Sequence, residues 1–307
     1  MAKYGIDSEL AKLAKQKAPS NIYLYPIVNI VMKLFTCASD DRVAVKKYVT
    51  PGYKNGKLST FVIEPKKNSG ILPCIIFYHG GGFLLKASRA HYQIAKWYAE
   101  MAKCKVVFTD YRLLPKNKYP VAVEDCYCTY KWILNCADML EINKEKIIVT
   151  GDSAGGNLAA AVTLMLWDRV QISPLGALLI YPVADRRMIT ESMKKFTDTP
   201  VWDATRTKMF WKAYLGNQAP KQIQYASPIE AESLEHFPDV YMEVAEFDCL
   251  RDEGIAFAER LRAEGVFTEL HEVKGACHGY EIVLESRIVE ESMQRRIRWI
   301  QSVFNKQ

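Results

Sequence analysis

No CxxC pair joins any of the eight cysteines (Cys37, Cys74, Cys104, Cys126, Cys128, Cys136, Cys249 and Cys277). The most direct cysteine signature of a zinc or dithiol centre is therefore missing. Several of them lie inside apolar runs, as Cys74 does in "LPCIIFY", where a reduced thiol behaves as a small hydrophobe. No block of Lys and Arg interleaves with aromatics, and the excess of 41 basic over 35 acidic residues is scattered, which argues against a nucleic-acid partner. The first twenty residues, "MAKYGIDSELAKLAKQKAPS", form a charged helical pattern and not a secretory leader. Together with the reduced cysteines this points to the cytoplasm. No uninterrupted apolar run is long enough to span a bilayer. The nearest, "NIYLYPIVNIVMKLFTCA", is broken by Pro26, Asn29 and Lys33. It reads as a buried or lid helix, with a place on a membrane surface as the alternative. Internal repeats and low-complexity tracts are missing too.

What is present is an ordinary globular composition, 49% hydrophobic and 25% charged over 307 residues. From about residue 58, short β-rich runs alternate with longer helical ones. "STFVIEP", "CIIFYHG", "KVVFTDY", "KIIVTG", "GALLIYPV", "VYMEVAE" and "TELHEV" read as strands, separated by patterns such as "HYQIAKWYAEMA" and "NLAAAVTLMLWDRV". A closing amphipathic helix is expected in "IVEESMQRRIRWIQSVF". This alternation predicts an α/β fold with a mostly parallel sheet covered on both faces. Residues 1 to about 45 and 185 to about 225 fall outside the rhythm. Neither carries enough apolar residues for its own core, so both are expected to form a lid on a single domain spanning 1–307.

The stretch "VTGDSAGGNL" holds Gly151, Ser153 and Gly155 as G-x-S-x-G, with a strand pattern before it and a helix pattern after. A serine N-cap would look the same in isolation. A nucleophile on a sharp strand-to-helix turn requires this spacing, because side chains at the glycine positions would clash across the turn. The decision rests on whether the chain supplies helpers. "FYHGGGF" places three glycines directly after an apolar strand, where backbone N–H groups can meet a developing negative charge. The stretch lacks the Lys-Ser/Thr of a P-loop and the G-x-G-x-x-G spacing of a dinucleotide site. Of the five histidines, His79 opens the glycine loop and is expected to fix its shape. His91 starts a helix, His236 lies in a surface loop and His271 in a strand pattern. His278 follows the last strand in "KGACHGYE", at an edge from which its ring can reach Ser153, and is the expected base. Asp248, right after "VYMEVAE", is the expected orienting acid, while Asp252 suits the first turn of the next helix. The chain order Ser153, Asp248, His278 is that of an α/β-hydrolase.

With these residues in view, the sequence resembles the hormone-sensitive-lipase-like (bacterial type IV) esterases of the α/β-hydrolase fold. "HGGGF", "DYRLLP", "GDSAGGN", "EFDCLRDEG" and "CHGY" match its motifs in order over about residues 58 to 305. The resemblance implies Ser153, Asp248 and His278 as the catalytic set. It implies the backbone N–H groups of Gly81, Gly82 and Ala154 as the oxyanion hole, with Gly80 shaping the loop. A helical cap built from the two outlying regions is implied as well. Two departures stand out: Lys116 follows "DYRLLP" where Glu is common, which puts a local ion pair in doubt, and Cys249 follows the acid where Pro is common. Cys277 adjoins the base as Cys249 adjoins the acid, but sequence gives no ground for a lowered thiol pKa in either.

The activity expected is hydrolysis of small, short-acyl esters (acetyl to about octanoyl) through an acyl-enzyme, with no metal or organic cofactor. An amidase or lactone hydrolase would use the same triad. A non-catalytic ligand-binding module, as in the plant gibberellin receptors that share the resemblance and have lost the histidine, is disfavoured by His278. Members of the family are often dimers, though no interface is marked in the sequence.

Overall fold

The alternating runs form their elements in chain order in the computed structural model, which describes residues 3–68, 70–217 and 220–306. After a 3-10 turn at Ser8–Lys15 comes helix α1 (Tyr25–Met32), followed by β1 (Val43–Pro51), β2 (Lys57–Pro65) and β3 (Leu72–Tyr78). Next are α2 (Arg89–Met101), β4 (Lys105–Asp110), α3 (Val121–Leu140), β5 (Ile142–Asp152), α4 (Ala154–Val170) and β6 (Gly176–Ile180). Helices α5 (Glu191–Lys195) and α6 (Ala204–Leu215) interrupt the rhythm. It resumes with β7 (Asp239–Phe247), α7 (Arg251–Ala263), β8 (Thr268–Cys277) and α8 (Arg287–Phe304).

The strands form one eight-stranded sheet in the order β1-β2-β4-β3-β5-β6-β7-β8. The β1–β2 and β2–β4 pairs are antiparallel, and every pair from β4–β3 to β7–β8 is parallel. The near-continuous apolar runs of the central strands follow from burial on both faces. Along β3, Cys74, Ile76 and Tyr78 pack with α3, α4 and α7, while Ile75 and Phe77 pack with α2 and α8. Strand β1 was not expected from the sequence. It is an edge strand with partly exposed positions, including Lys46 and Lys47, and it is held by pairing with β2. The helices begin on side-chain caps, Ser88 for α2, Asp203 for α6 and Ser286 for α8.

The two outlying segments meet each other. The Val201 N–H donates to the Gln16 carbonyl at 2.6 Å, and the Ala18 N–H donates to the Val201 carbonyl at 3.1 Å. Arg206 at the start of α6 donates from Nε to the Ala18 carbonyl at 2.5 Å. Helix α1 is tied to the loop after the glycines, because the Asn29 amide donates to the Leu84 carbonyl at 2.7 Å and accepts from the Lys86 N–H at 2.8 Å. Between these segments and the carboxyl ends of the strands lies a cavity of about 490 Å³. That is where ligands bind in open α/β sheets.

Candidate active site

Strand β5 delivers Ser153 to the start of α4 by a turn that the glycines permit. A Cβ on Gly155 would stand 1.9 Å from the Tyr78 carbonyl oxygen, so no other residue fits there without moving β3. Ser153 itself sits at φ 56°, ψ −119°, a conformation that costs a non-glycine residue on the order of 1–3 kcal/mol. Its N–H donates to the Ile180 carbonyl at 2.8 Å, which fixes the turn. The hydroxyl is 2.9 Å from Nε2 of His278, and Nδ1 of the same ring donates to Oδ2 of Asp248 at 2.6 Å. The other Asp248 oxygen accepts from the Leu250 N–H at 3.0 Å, so the carboxylate cannot swing away. All three side chains are buried.

Burial pulls the His278 imidazole pKa down, but the charge and hydrogen bond of Asp248 outweigh it and hold the pKa above its ordinary value. The protonated ring is thereby stabilised next to Ser153. Tyr181 packs against the His278 ring with centroids 4.7 Å apart, and its hydroxyl donates to Glu281. Glu281 in turn accepts from Arg296 at 2.7 Å, and the same guanidinium bonds to Glu243. Glu281 is thus joined through Tyr181 to the His278 ring, and burial raises its carboxyl pKa although Arg296 opposes this.

The glycine loop is shaped by residues on both sides. The Gly80 N–H donates to Oδ1 of Asp152 at 3.0 Å, and the other Asp152 oxygen lies 3.0 Å from Nε2 of His91. Nδ1 of His91 accepts from the Ser88 N–H at 2.9 Å, so the proton on this ring sits on Nε2. His79 donates from Nδ1 to the Gly80 carbonyl at 2.8 Å and stacks on Tyr111 at 4.5 Å. Gly82 adopts φ +62°, and a Cβ there would meet the Trp202 ring at 2.3 Å. The N–H groups of Gly81 and Gly82 donate to no acceptor among the described residues. Both glycines line the cavity together with Ser153, His278 and Trp202. Ala154 is the first residue of α4, where the positive end of the helix dipole adds to its own N–H.

The structure thus brings Ser153, His278 and the glycine loop to the wall of one cavity, with Asp248 buried behind the His278 ring. Asp252 lies in the first turn of α7 as expected and also accepts from the Ser192 N–H at 2.7 Å. Lys116 makes no ion pair among the described residues, and the "DYRLLP" loop is anchored instead by Arg112, whose Nε donates to Asp125 at 2.8 Å. Burial pushes the Cys249 thiol well above its ordinary pKa and the Cys277 thiol up to about 12, so neither is a reactive thiolate. His236 stacks on Trp167 at 3.8 Å and does not line the cavity. The reading of the residues missed Asp152 and His91 as a pair. Asp152 stands beside Ser153 within the motif and could have been questioned, but nothing in the sequence links it to a histidine 61 positions earlier.

Comparison with known proteins gives a consistent picture. Residues 75–282 match a family described by its alpha/beta hydrolase fold. Esterase LipI of Mycobacterium tuberculosis is 32% identical over 212 residues, 68% of this chain and 65% of that one. A putative alpha/beta hydrolase, R526, of Acanthamoeba polyphaga mimivirus is 30% identical, and the alignment likewise covers 65% of it, just under two thirds of that protein's length. An arylesterase of Saccharolobus solfataricus is 31% identical over 70% of this chain and 69% of its own. Among solved structures, a bacterial heroin esterase superposes with a TM-score of 0.90 at 30% identity, covering 98% of this chain and 99% of that one. The chain belongs to the α/β-hydrolase family of hormone-sensitive-lipase-like esterases.

Proposed function

We propose that this protein is a serine carboxylesterase that hydrolyses small, short-acyl esters (acetyl to about octanoyl) through an acyl-enzyme. The observation that carries this reading is the unbroken line from the Ser153 hydroxyl through His278 to Asp248, at 2.9 and 2.6 Å. In the reading, His278 accepts the hydroxyl proton at Nε2 as the serine oxygen attacks the ester carbonyl. The oxyanion lies against the N–H groups of Gly81, Gly82 and Ala154, and each such donor is worth about a hundredfold in rate or more. Collapse of the tetrahedral species breaks the bond to the alcohol oxygen, which takes the proton from His278. Water then gives a proton to the same nitrogen and attacks the acyl-serine, and the acid leaves as Ser153 regains its hydrogen. Asp248 stays ionised and holds the ring.

A cavity of about 490 Å³ falls in the range of small-molecule sites, which favours compact esters. The names of the similar proteins, an arylesterase and a heroin esterase among them, favour an ester over an amide. The segments around 1–45 and 185–225 act, in this reading, as a cap on one hydrolase domain, and the eight free cysteines suit a reducing cytoplasm. The test is hydrolysis of p-nitrophenyl esters from acetate to palmitate. Short esters are expected to turn over, with Ser153→Ala and His278→Ala each about 10⁴-fold slower or worse. No turnover by the intact protein at any chain length would reject the reading in favour of a ligand-binding module.

A further inference from the structure

Helix α1 and its flanks carry an apolar stripe that faces out. Tyr23, Leu24, Ile27, Ile30, Val31, Leu34 and Phe35 recur at helical spacing, and Tyr23, Ile30 and Leu34 are 76%, 64% and 79% exposed. The opposite face is apolar as well, since Tyr25 is buried and Val28 and Met32 line the cavity. With Asn29 and Lys33 as its polar positions, the helix is apolar on both of these faces, a pattern that belongs in a buried setting. A contiguous patch of seven large exposed side chains is more than a monomer ordinarily leaves in water. The helix is therefore buried on one face only.

Charge says what covers the other face. Residues 20–39 contain no Asp or Glu, and Lys33 closes the helix. Lys15 and Lys17, in the segment before the helix, are exposed and line the cavity. None of these three lysines makes an ion pair among the described residues. A second copy packed stripe to stripe would add another Lys33 to a surface on which residues 20–39 offer no acid to answer it. An anionic lipid surface supplies both partners: headgroup charge for the lysines and acyl chains for the stripe.

We propose that α1 and its flanks dock this protein on an anionic lipid surface, with the apolar stripe sunk into the headgroup–acyl boundary. Val28 and Met32 line the cavity from the reverse of the same helix, so the docked helix alone separates that wall of the cavity from the lipid. An ester dissolved in the membrane then has a short path to the cavity. This last step rests on the esterase reading; the docking does not.

The test uses the full chain and sedimentation with vesicles of phosphatidylcholine alone or of equal parts phosphatidylcholine and phosphatidylglycerol. Binding to the anionic vesicles is expected to be about tenfold tighter than to the neutral ones and to weaken with added salt. The triple variant Ile27→Ser, Ile30→Ser, Leu34→Ser is expected to lose about tenfold or more of that binding, because it removes the buried methylenes. These side chains point to water, so its turnover of soluble p-nitrophenyl butyrate should match the parent's. Vesicle binding by a protein that hydrolyses no ester would leave the docking standing and the esterase reading fallen. Hydrolysis without vesicle binding, or a dimer that the triple variant dissociates, would overturn the docking.

Discussion

Ser153 combines a strained backbone, φ 56°, with a hydroxyl aimed at His278, and the strain persists because the Ile180 carbonyl and the close contact of Gly155 with β3 over-determine the turn. The ring it meets is tuned by one neighbour above all. Replacing Asp248 with Asn should leave the fold intact, since the amide can still accept from the Leu250 N–H, yet lower kcat about 10⁴-fold by favouring the wrong tautomer. In the proposed mechanism the base acts when neutral, so kcat/KM is expected to rise with pH through the His278 pKa, which Asp248 holds above its ordinary value against the pull of burial. Without the Asp248 charge that midpoint moves to lower pH, and a pH–rate profile of both proteins measures the shift. His79 has the opposite sign. Burial first, then the neighbouring His91, lowers its pKa to about 4. The unfolded chain therefore binds a proton between about 6.5 and 4 that the folded chain refuses, and stability falls as acid is added across that window. The gap is worth up to about 3 kcal/mol. His79→Asn keeps a donor for the Gly80 carbonyl and cannot titrate, so its urea midpoint should fall less between pH 7 and pH 4 than the parent's.

At the scale of elements, the junction of β7, α8 and the turn after β8 is held by charge inside the core. Arg296 is 1% exposed and bonds to Glu243 and Glu281, while Tyr280 and Tyr241 donate to Glu243. Arg296→Met should cost about 3–5 kcal/mol in urea unfolding, because it strands a buried carboxylate. Adding Glu243→Gln should return part of that loss, and no recovery would show that the cost lies in packing alone. None of this network is legible in "RRIRWIQ" or "YMEVAE". The helical period marks an amphipathic helix, but which strand residue faces Arg296 depends on sheet order, which no local pattern encodes. Strand β1 was hidden for a related reason: "VAVKKYVTP" has no strong alternation, and its place depends on pairing with β2. The central strands were legible because burial on both faces leaves uninterrupted apolar runs.

For the whole molecule, the sheet carries Ser153, Asp248 and His278 on three separate strand ends, and only the assembled fold brings them into one hydrogen-bonded line. Their order and motifs could be read in the sequence, since glycine requirements and strand-to-helix turns leave local marks. The support behind them, Asp152 with His91 and Tyr181 with Glu281, could not, because it joins polar residues 61 and 100 positions apart. The outward stripe of α1 escaped for another reason, because an apolar period gives spacing and not direction. Among the described residues no helix is long and apolar enough to cross a membrane. The most direct test of the central claim is reaction with a fluorophosphonate, in which the serine oxygen bonds to phosphorus and fluoride leaves. Peptide mapping should find one label per chain, on Ser153, with none in Ser153→Ala and far slower labelling in His278→Ala. Labelling of a different serine, or an intact protein that stays unlabelled while it hydrolyses esters, would contradict the account.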